Sequence, residues 1–204
     1  MVGLSARIRA CRICRDAPMG EALEPEPNPI LVLSATARIC IAGQAPGVRA
    51  DRSGVPFSDP SGDRLRDWMG IGPEVFYDAS RIAIVPMGFC FPGLDRHGGD
   101  RPPRRECRLT WHDQVFQSLD SLELVLMVGG YAQTWHARRA GVGLPSGGVG
   151  PAVSAWRNAA FRDATPQLLP LPHPSWRNNA WLKRNPWFER ELLPDLRTRV
   201  AQLT

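Results

Sequence analysis

Three short apolar runs, each ending in a glycine- or proline-rich turn, constrain this chain more than any other feature of its 204 residues. Residues 37–42 run into Gly43-Gln44-Ala45-Pro46-Gly47, residues 82–85 into Pro86-Met87-Gly88, and residues 124–128 into Gly129-Gly130-Tyr131. Short apolar runs without polar alternation, closed by turn residues, read as strands buried on both faces. Residues 64–69 and 111–119 between them, and 131–140 after the third, carry helical spacing. Strand, turn and helix in alternation predict an α/β fold with a mostly parallel sheet. A fourth strand fits residues 168–171, immediately before Pro172-His173-Pro174-Ser175, and a closing amphipathic helix fits 187–202. Ligands of open parallel sheets bind beyond the carboxyl ends of the strands, so the turns mark the expected site.

The length suits one domain spanning 1–204, with an apolar fraction of 43% for its core. Residues 1–29 read as an N-terminal arm, closed by the acidic, proline-rich stretch 21–29. No apolar run approaches the roughly 20 residues a membrane helix needs, and residues 1–20 lack a signal-peptide core, so a cytoplasmic location is expected. Basic residues outnumber acidic ones by 25 to 20, and 24 of the 25 are arginine, Lys183 being the lysine. Arginine suits phosphate contacts and base stacking, yet a high-GC genome gives the same bias. Five cysteines, including Cys11-x-x-Cys14, fit metal ligation or free thiols better than a disulfide framework.

Four motifs carry chemistry. The Gly43–Gly47 turn can bring main-chain N–H groups close to a ligand, or simply connect two elements. His173 sits between two prolines, and this stiff loop suits it to hydrogen-bond a substrate oxygen. Residues 176–188 interleave Arg177, Lys183 and Arg184 with amides and aromatics, as a surface gripping phosphates and wedging into a base stack would. Trp187 and Phe188 read as core and Trp176 as the exposed aromatic. Cys11, Cys14, Cys90 and Cys107 could together hold zinc or an iron–sulfur cluster, or remain free, while Cys40 reads as a buried apolar residue.

Taken in order, these motifs resemble the uracil-DNA glycosylase superfamily, most closely its iron–sulfur (family 4 type) bacterial and archaeal branch. The resemblance rests on Cys11-x-x-Cys14, the turn Gly43–Gly47, Asp51, Gly54-Val55-Pro56-Phe57, Cys90, Cys107 and His173-Pro174-Ser175, and it covers nearly the whole chain. It implies a three-layer α/β/α sandwich around a short, mostly parallel sheet. It also implies hydrolysis of the N-glycosidic bond of uracil flipped out of DNA, the first step of base-excision repair. Carried over, Gly43, Gln44, Ala45 and Pro46 would hold the base and Phe57 would stack on it. His173 would stabilise the departing anion, and Asp51, with Asp59 second, would supply a carboxylate. Ser175, Trp176, Arg177, Lys183 and Arg184 would meet the DNA. The four cysteines would hold a structural 4Fe–4S cluster, with zinc or no metal as alternatives.

Three departures mark this chain. Ala45 and Gln44 leave the first turn without an acid, of the acidic stretch after it Asp51 alone remains, and Pro86-Met87-Gly88-Phe89 precedes Cys90 without the branch's asparagine. The range of bases stays open to other damaged pyrimidines or deaminated purines. Two further readings compete: a catalytically weak or inactive protein binding uracil or abasic DNA on the same fold, and a redox or metal-binding protein built on the cysteines.

Overall fold

A computed structural model describes residues 2–204; Met1, the first residue of the expected arm, lies outside the described residues. Four parallel strands, β1 (Ile39–Ala42), β2 (Ile82–Ile84), β3 (Leu124–Val128) and β4 (Gln167–Leu171), form one sheet in the order β2-β1-β3-β4. Ile41 pairs with Ile84 on one side and Leu126 on the other, and Val128 pairs with Leu171. Side chains alternate across a strand, and here they divide into two cores. Ile39, Ile41, Ile82, Ile84, Leu124, Leu126, Leu169 and Leu171 face one layer. Cys40, Ala42, Ala83, Val125, Met127 and Leu168 face the other. The first layer is closed by Leu65, Trp68 and Met69 of the helix Pro60–Met69 and by Leu193, Leu196 and Val200 of the terminal helix Leu193–Leu203. The second is closed by Ile8, Phe89, Trp111, Val115, Ala132 and Phe161. The result is the α/β fold expected from the strand pattern, layered as the resemblance implies, with all the strand pairs parallel.

The order of the strands locates the cleft. From β1 the chain goes outward to β2, then returns to the other side of β1 to form β3, so the direction of winding reverses beside β1. Pairing continues past the strand ends, with Met87 N donating to Gly43 O and Gly88 N to Gln44 O, both at 2.9 Å. This fastens the exits of β1 and β2 into one ledge. The outer edge of β2 is covered by Val32, which exchanges two 2.9 Å backbone hydrogen bonds with Ile84.

Several short helices carry too few residues for periodicity to reveal them. Val48–Ser53 follows the first turn directly and ends at Gly54, whose φ of 70° is the left-handed cap. Asn179–Arg184, Val149–Ser154 and Ala159–Arg162 are similar in length. The expected helix over 111–119 starts earlier, at Arg105, and passes through a wider π turn at Arg108–His112 before finishing at Gln117.

Candidate active site

A cavity of about 410 Å³ opens at the carboxyl ends of β1 and β2, a size that suits a small organic group. Its floor is the whole turn Gly43, Gln44, Ala45, Pro46 and Gly47, continued by Val48 to Ala50. Pro86 closes the β2 side, Phe57, Asp59 and Ser61 form a second wall, and Leu94, Gly98 and Asp100 a third. His173 reaches in from the loop after β4. The five base-binding residues expected from the sequence are therefore brought together with His173.

Phe57 is held in place by main-chain geometry. It has a φ of 54°, the left-handed region that non-glycine residues seldom occupy. Its carbonyl oxygen accepts from Tyr77 Oη at 3.1 Å and Arg66 Nη1 at 3.4 Å. Its ring packs edge-on to Phe76 at 6.0 Å. A Cβ on Gly62 would stand 1.8 Å from that same carbonyl oxygen, and a Cβ on Gly43 would stand 3.3 Å from the ring. Two glycines thus let an aromatic face lie against the turn.

His173 is half-buried, and Asn178 Nδ2 donates to its carbonyl oxygen at 2.7 Å. Burial holds its imidazole below the ordinary histidine value, although Asp59 and Asp100 pull it back up. That direction favours the neutral ring, which can still donate one hydrogen bond. Asp59 is also the cap of the helix Pro60–Met69, its side chain accepting from Gly62 N at 3.3 Å.

The carboxylate expected at Asp51 is placed elsewhere. Asp51 lies on the helix Val48–Ser53 and does not line the cavity; Asn28 Nδ2 donates to its carbonyl oxygen at 2.8 Å and to Oδ1 at 3.4 Å. The acids at the cavity are Asp59 and Asp100. Asp100 lies between Cys90 and Cys107, in a Gly-, Pro- and Arg-rich stretch whose sequence shows no strand or helix pattern, so spacing could not single it out.

The segment expected to meet DNA divides in two. Ser175, Trp176 and Arg177 follow His173 directly. Arg64, from the helix Pro60–Met69, donates through Nη1 to Ser175 O at 3.1 Å and to Asn179 Oδ1 at 2.8 Å, which pins this loop to the cavity wall. Trp176 is 73% exposed with the Arg177 guanidinium 5.8 Å from its ring. Lys183 and Arg184 are exposed on the next helix and do not line the cavity. Phe188 is fully buried, and Trp187 packs partly buried against the same core.

A family model of the uracil DNA glycosylase superfamily matches residues 32–197. The chain belongs to that superfamily. A solution NMR structure from Methanosarcina acetivorans, of a protein named provisionally as a uracil DNA glycosylase, is 16% identical with a TM-score of 0.49. The alignment covers 82% of this chain and 94% of that one.

The superfamily match leaves Cys11 and Cys14 outside it, on the arm. All five cysteines are free thiols; Cys107 is buried in the second core with Cys11 packed against it. Cys14 and Cys90 pack together with Leu23. The neighbouring Cys90 thiol brings Cys14 down to about 7, and Cys90 itself is pushed far up by Cys14 and by burial. Burial raises Cys107 to about 12, with Cys14 and Cys11 close enough to add to the rise. Phe89 N donates to Cys107 Sγ at 3.4 Å and Trp111 Nε1 to Cys11 Sγ at 3.3 Å. Among the described residues, no group of three or more Cys, His, Asp or Glu is placed to hold one metal ion. A single zinc needs four sulfurs about 2.3 Å from one point. Cys40 is fully buried in β1.

Proposed function

We propose that this superfamily member is a monofunctional DNA glycosylase that hydrolyses the N-glycosidic bond of uracil, or of a related deaminated or damaged base, flipped out of DNA. The observation that carries this reading is a half-buried His173 facing a turn and an aromatic ring across a cavity of a size that suits a base. Beside that cavity stand an exposed tryptophan and an arginine.

A base reaching this cavity has left the stack, because a paired base cannot present its glycosidic bond to a recessed site. Phe57 offers a face to stack on, and the Gln44 carboxamide offers both a donor and an acceptor to a base edge. When the C1′–N1 bond breaks, its electron pair stays on the base, whose carbonyl oxygen gains charge. A neutral imidazole can donate to that oxygen, and a fixed donor in a site that excludes water stabilises it more than water would. Water then adds to C1′ of the sugar, leaving an abasic site. Trp176 is placed to enter the space the base vacates, with Arg177 and Ser175 at the flanking phosphates and Lys183 and Arg184 further along the strand.

We also propose that Cys11, Cys14, Cys90 and Cys107 would hold a 4Fe–4S cluster, as the resemblance implies. The donors would be four free thiols, two of which receive N–H···S hydrogen bonds of the kind that support thiolate ligands. On this reading the group would hold the arm to the body of the protein, in keeping with the resemblance to the iron–sulfur branch. Partners are then DNA carrying the lesion. No helix among the described residues is long and apolar enough to cross a membrane, and a repair enzyme of this kind would work in the cytoplasm.

The test uses single- and double-stranded oligonucleotides carrying one uracil, followed by alkali. Strand scission at the uracil, abolished in His173→Ala, is the expected result. Tight, salt-dependent binding without scission would favour the binding-protein reading that Ala45 and Gln44 raise, since neither supplies an acid in the turn.

A further inference from the structure

The glycosidic bond leaves a positively charged sugar, and water must lose a proton as it attacks. Both demands are met by an ionised carboxylate at the cavity, yet the first turn offers Gln44 and Ala45. Asp59 is already engaged as a helix cap.

Asp100 is different. It sits at the foot of a small hairpin whose Leu94 and Asp100 form an antiparallel bridge. Asp95 locks the tip: its Oδ1 accepts from His97 N at 2.8 Å and Gly99 N at 2.9 Å, and its own N–H donates to Gly99 O at 2.7 Å. Arg101 N closes the base on Gly93 O at 3.0 Å. A Cβ on Gly47 would stand 3.7 Å from Asp100 Oδ2, so the carboxylate lies over the floor turn. Among the described residues it makes no hydrogen bond or salt bridge, unlike Asp51, Asp59 and Asp95. Across the cavity it faces His173.

We propose that Asp100 is the catalytic carboxylate, offsetting the positive charge that develops on the sugar and accepting the proton of the water that attacks C1′. This rests on the glycosylase reading above. The C1′–N1 electron pair departs with the base, water oxygen bonds to C1′, and the water proton passes to Asp100 and then to solvent or to the base anion. The role belongs to the hairpin, so a chain without an acid in its first turn receives one from the segment between its third and fourth cluster cysteines.

The charged groups facing Asp100 are Asp59, Asp95, His173 and Arg177. Loss of water around it raises the Asp100 carboxyl above the ordinary aspartate value. Single-turnover rates should therefore fall as pH drops through that raised value, because the ionised form is the one that acts.

The experiment compares full-length wild type, Asp100→Asn and Asp51→Asn on a single-stranded oligonucleotide carrying one uracil, with affinity for the same DNA measured in parallel. Asp100→Asn is expected to lose roughly 100-fold or more of the maximal rate, with affinity within threefold and with the acidic limb of its pH–rate profile gone. A rate within threefold of wild type overturns the proposal and leaves the glycosylase reading intact. So does a loss of rate that keeps the acidic limb, or a large loss in Asp51→Asn alone. Wild type without scission on oligonucleotides carrying uracil, a deaminated purine or a damaged pyrimidine overturns both readings. Asp100 lies on the exposed hairpin, and matching thermal midpoints of variant and wild type would exclude misfolding as the cause.

Discussion

At the scale of single residues, the site depends on glycines that sit where another residue's backbone needs the room. Gly62 is the clearest case, because its absent side chain is filled by the carbonyl of Phe57. A clash with backbone cannot be relieved by a rotamer change. Gly62→Ala should therefore move Phe57 and the start of the helix Pro60–Met69, at a cost of roughly 1–3 kcal/mol in stability. It should also weaken binding of free uracil, as read by the denaturant midpoint and by titration with the base. The glycine is visible in the sequence, but its partner is not. Nothing in the spacing of Gly62 says that Phe57, five residues earlier, adopts a φ of 54° beneath it. His173 differs, since the prolines on either side of it restrict the backbone locally, and this restriction can be read from three adjacent residues.

At the scale of elements, the strands were legible and the connections were not. An apolar run between turn residues carries its burial in its own composition, so β1 to β4 fall within two residues of their expected bounds. The hairpin over residues 94–100 and the helix Val48–Ser53 are set by caps and turn hydrogen bonds, such as Asp95 to His97 and Gly99, which leave no period behind. Asp51, the carboxylate the resemblance implies, sits on one such short helix, beside Asn28 and off the cavity lining. The cysteines join three such elements: the arm through Cys11 and Cys14, the exit of β2 through Cys90, and the short helix Arg105–Cys107. With a cluster bound, protein purified without oxygen should show broad visible absorbance. Cys11→Ala should lose that absorbance, and a colourless, metal-free, folded wild type would remove the cluster from this account.

At the scale of the whole molecule, two buried histidines tie stability to pH. His112 lies between Pro86 O at 3.1 Å and Cys107 O at 3.3 Å, stacked on Phe89, and burial lowers it to about 4. His136 is buried among Phe116 and Trp135 with Nε2 unpartnered, and burial lowers it to about 3. Both are neutral in the folded protein, whereas an unfolded histidine charges near 6.5. The unfolded chain therefore binds more protons below that value. Stability should be fully present above about 6.5 and fall as pH drops toward 4 and then 3, by a few kcal/mol for each group. Urea titrations across that range would show it, and His136→Leu should flatten the slope, since it removes one of the two groups that take up a proton on unfolding.

By itself, the sequence determined the parallel sheet, the position of the cleft, the rigid histidine and the superfamily, because buried strands and proline-locked turns are written in adjacent residues. The tertiary structure decided which acids share the cavity with that histidine, Asp59 and Asp100 rather than Asp51. Asp51, Asp59 and Asp100 are equally acidic as letters, and what separates them is which helix, cap or hairpin turns each carboxylate toward or away from the cavity.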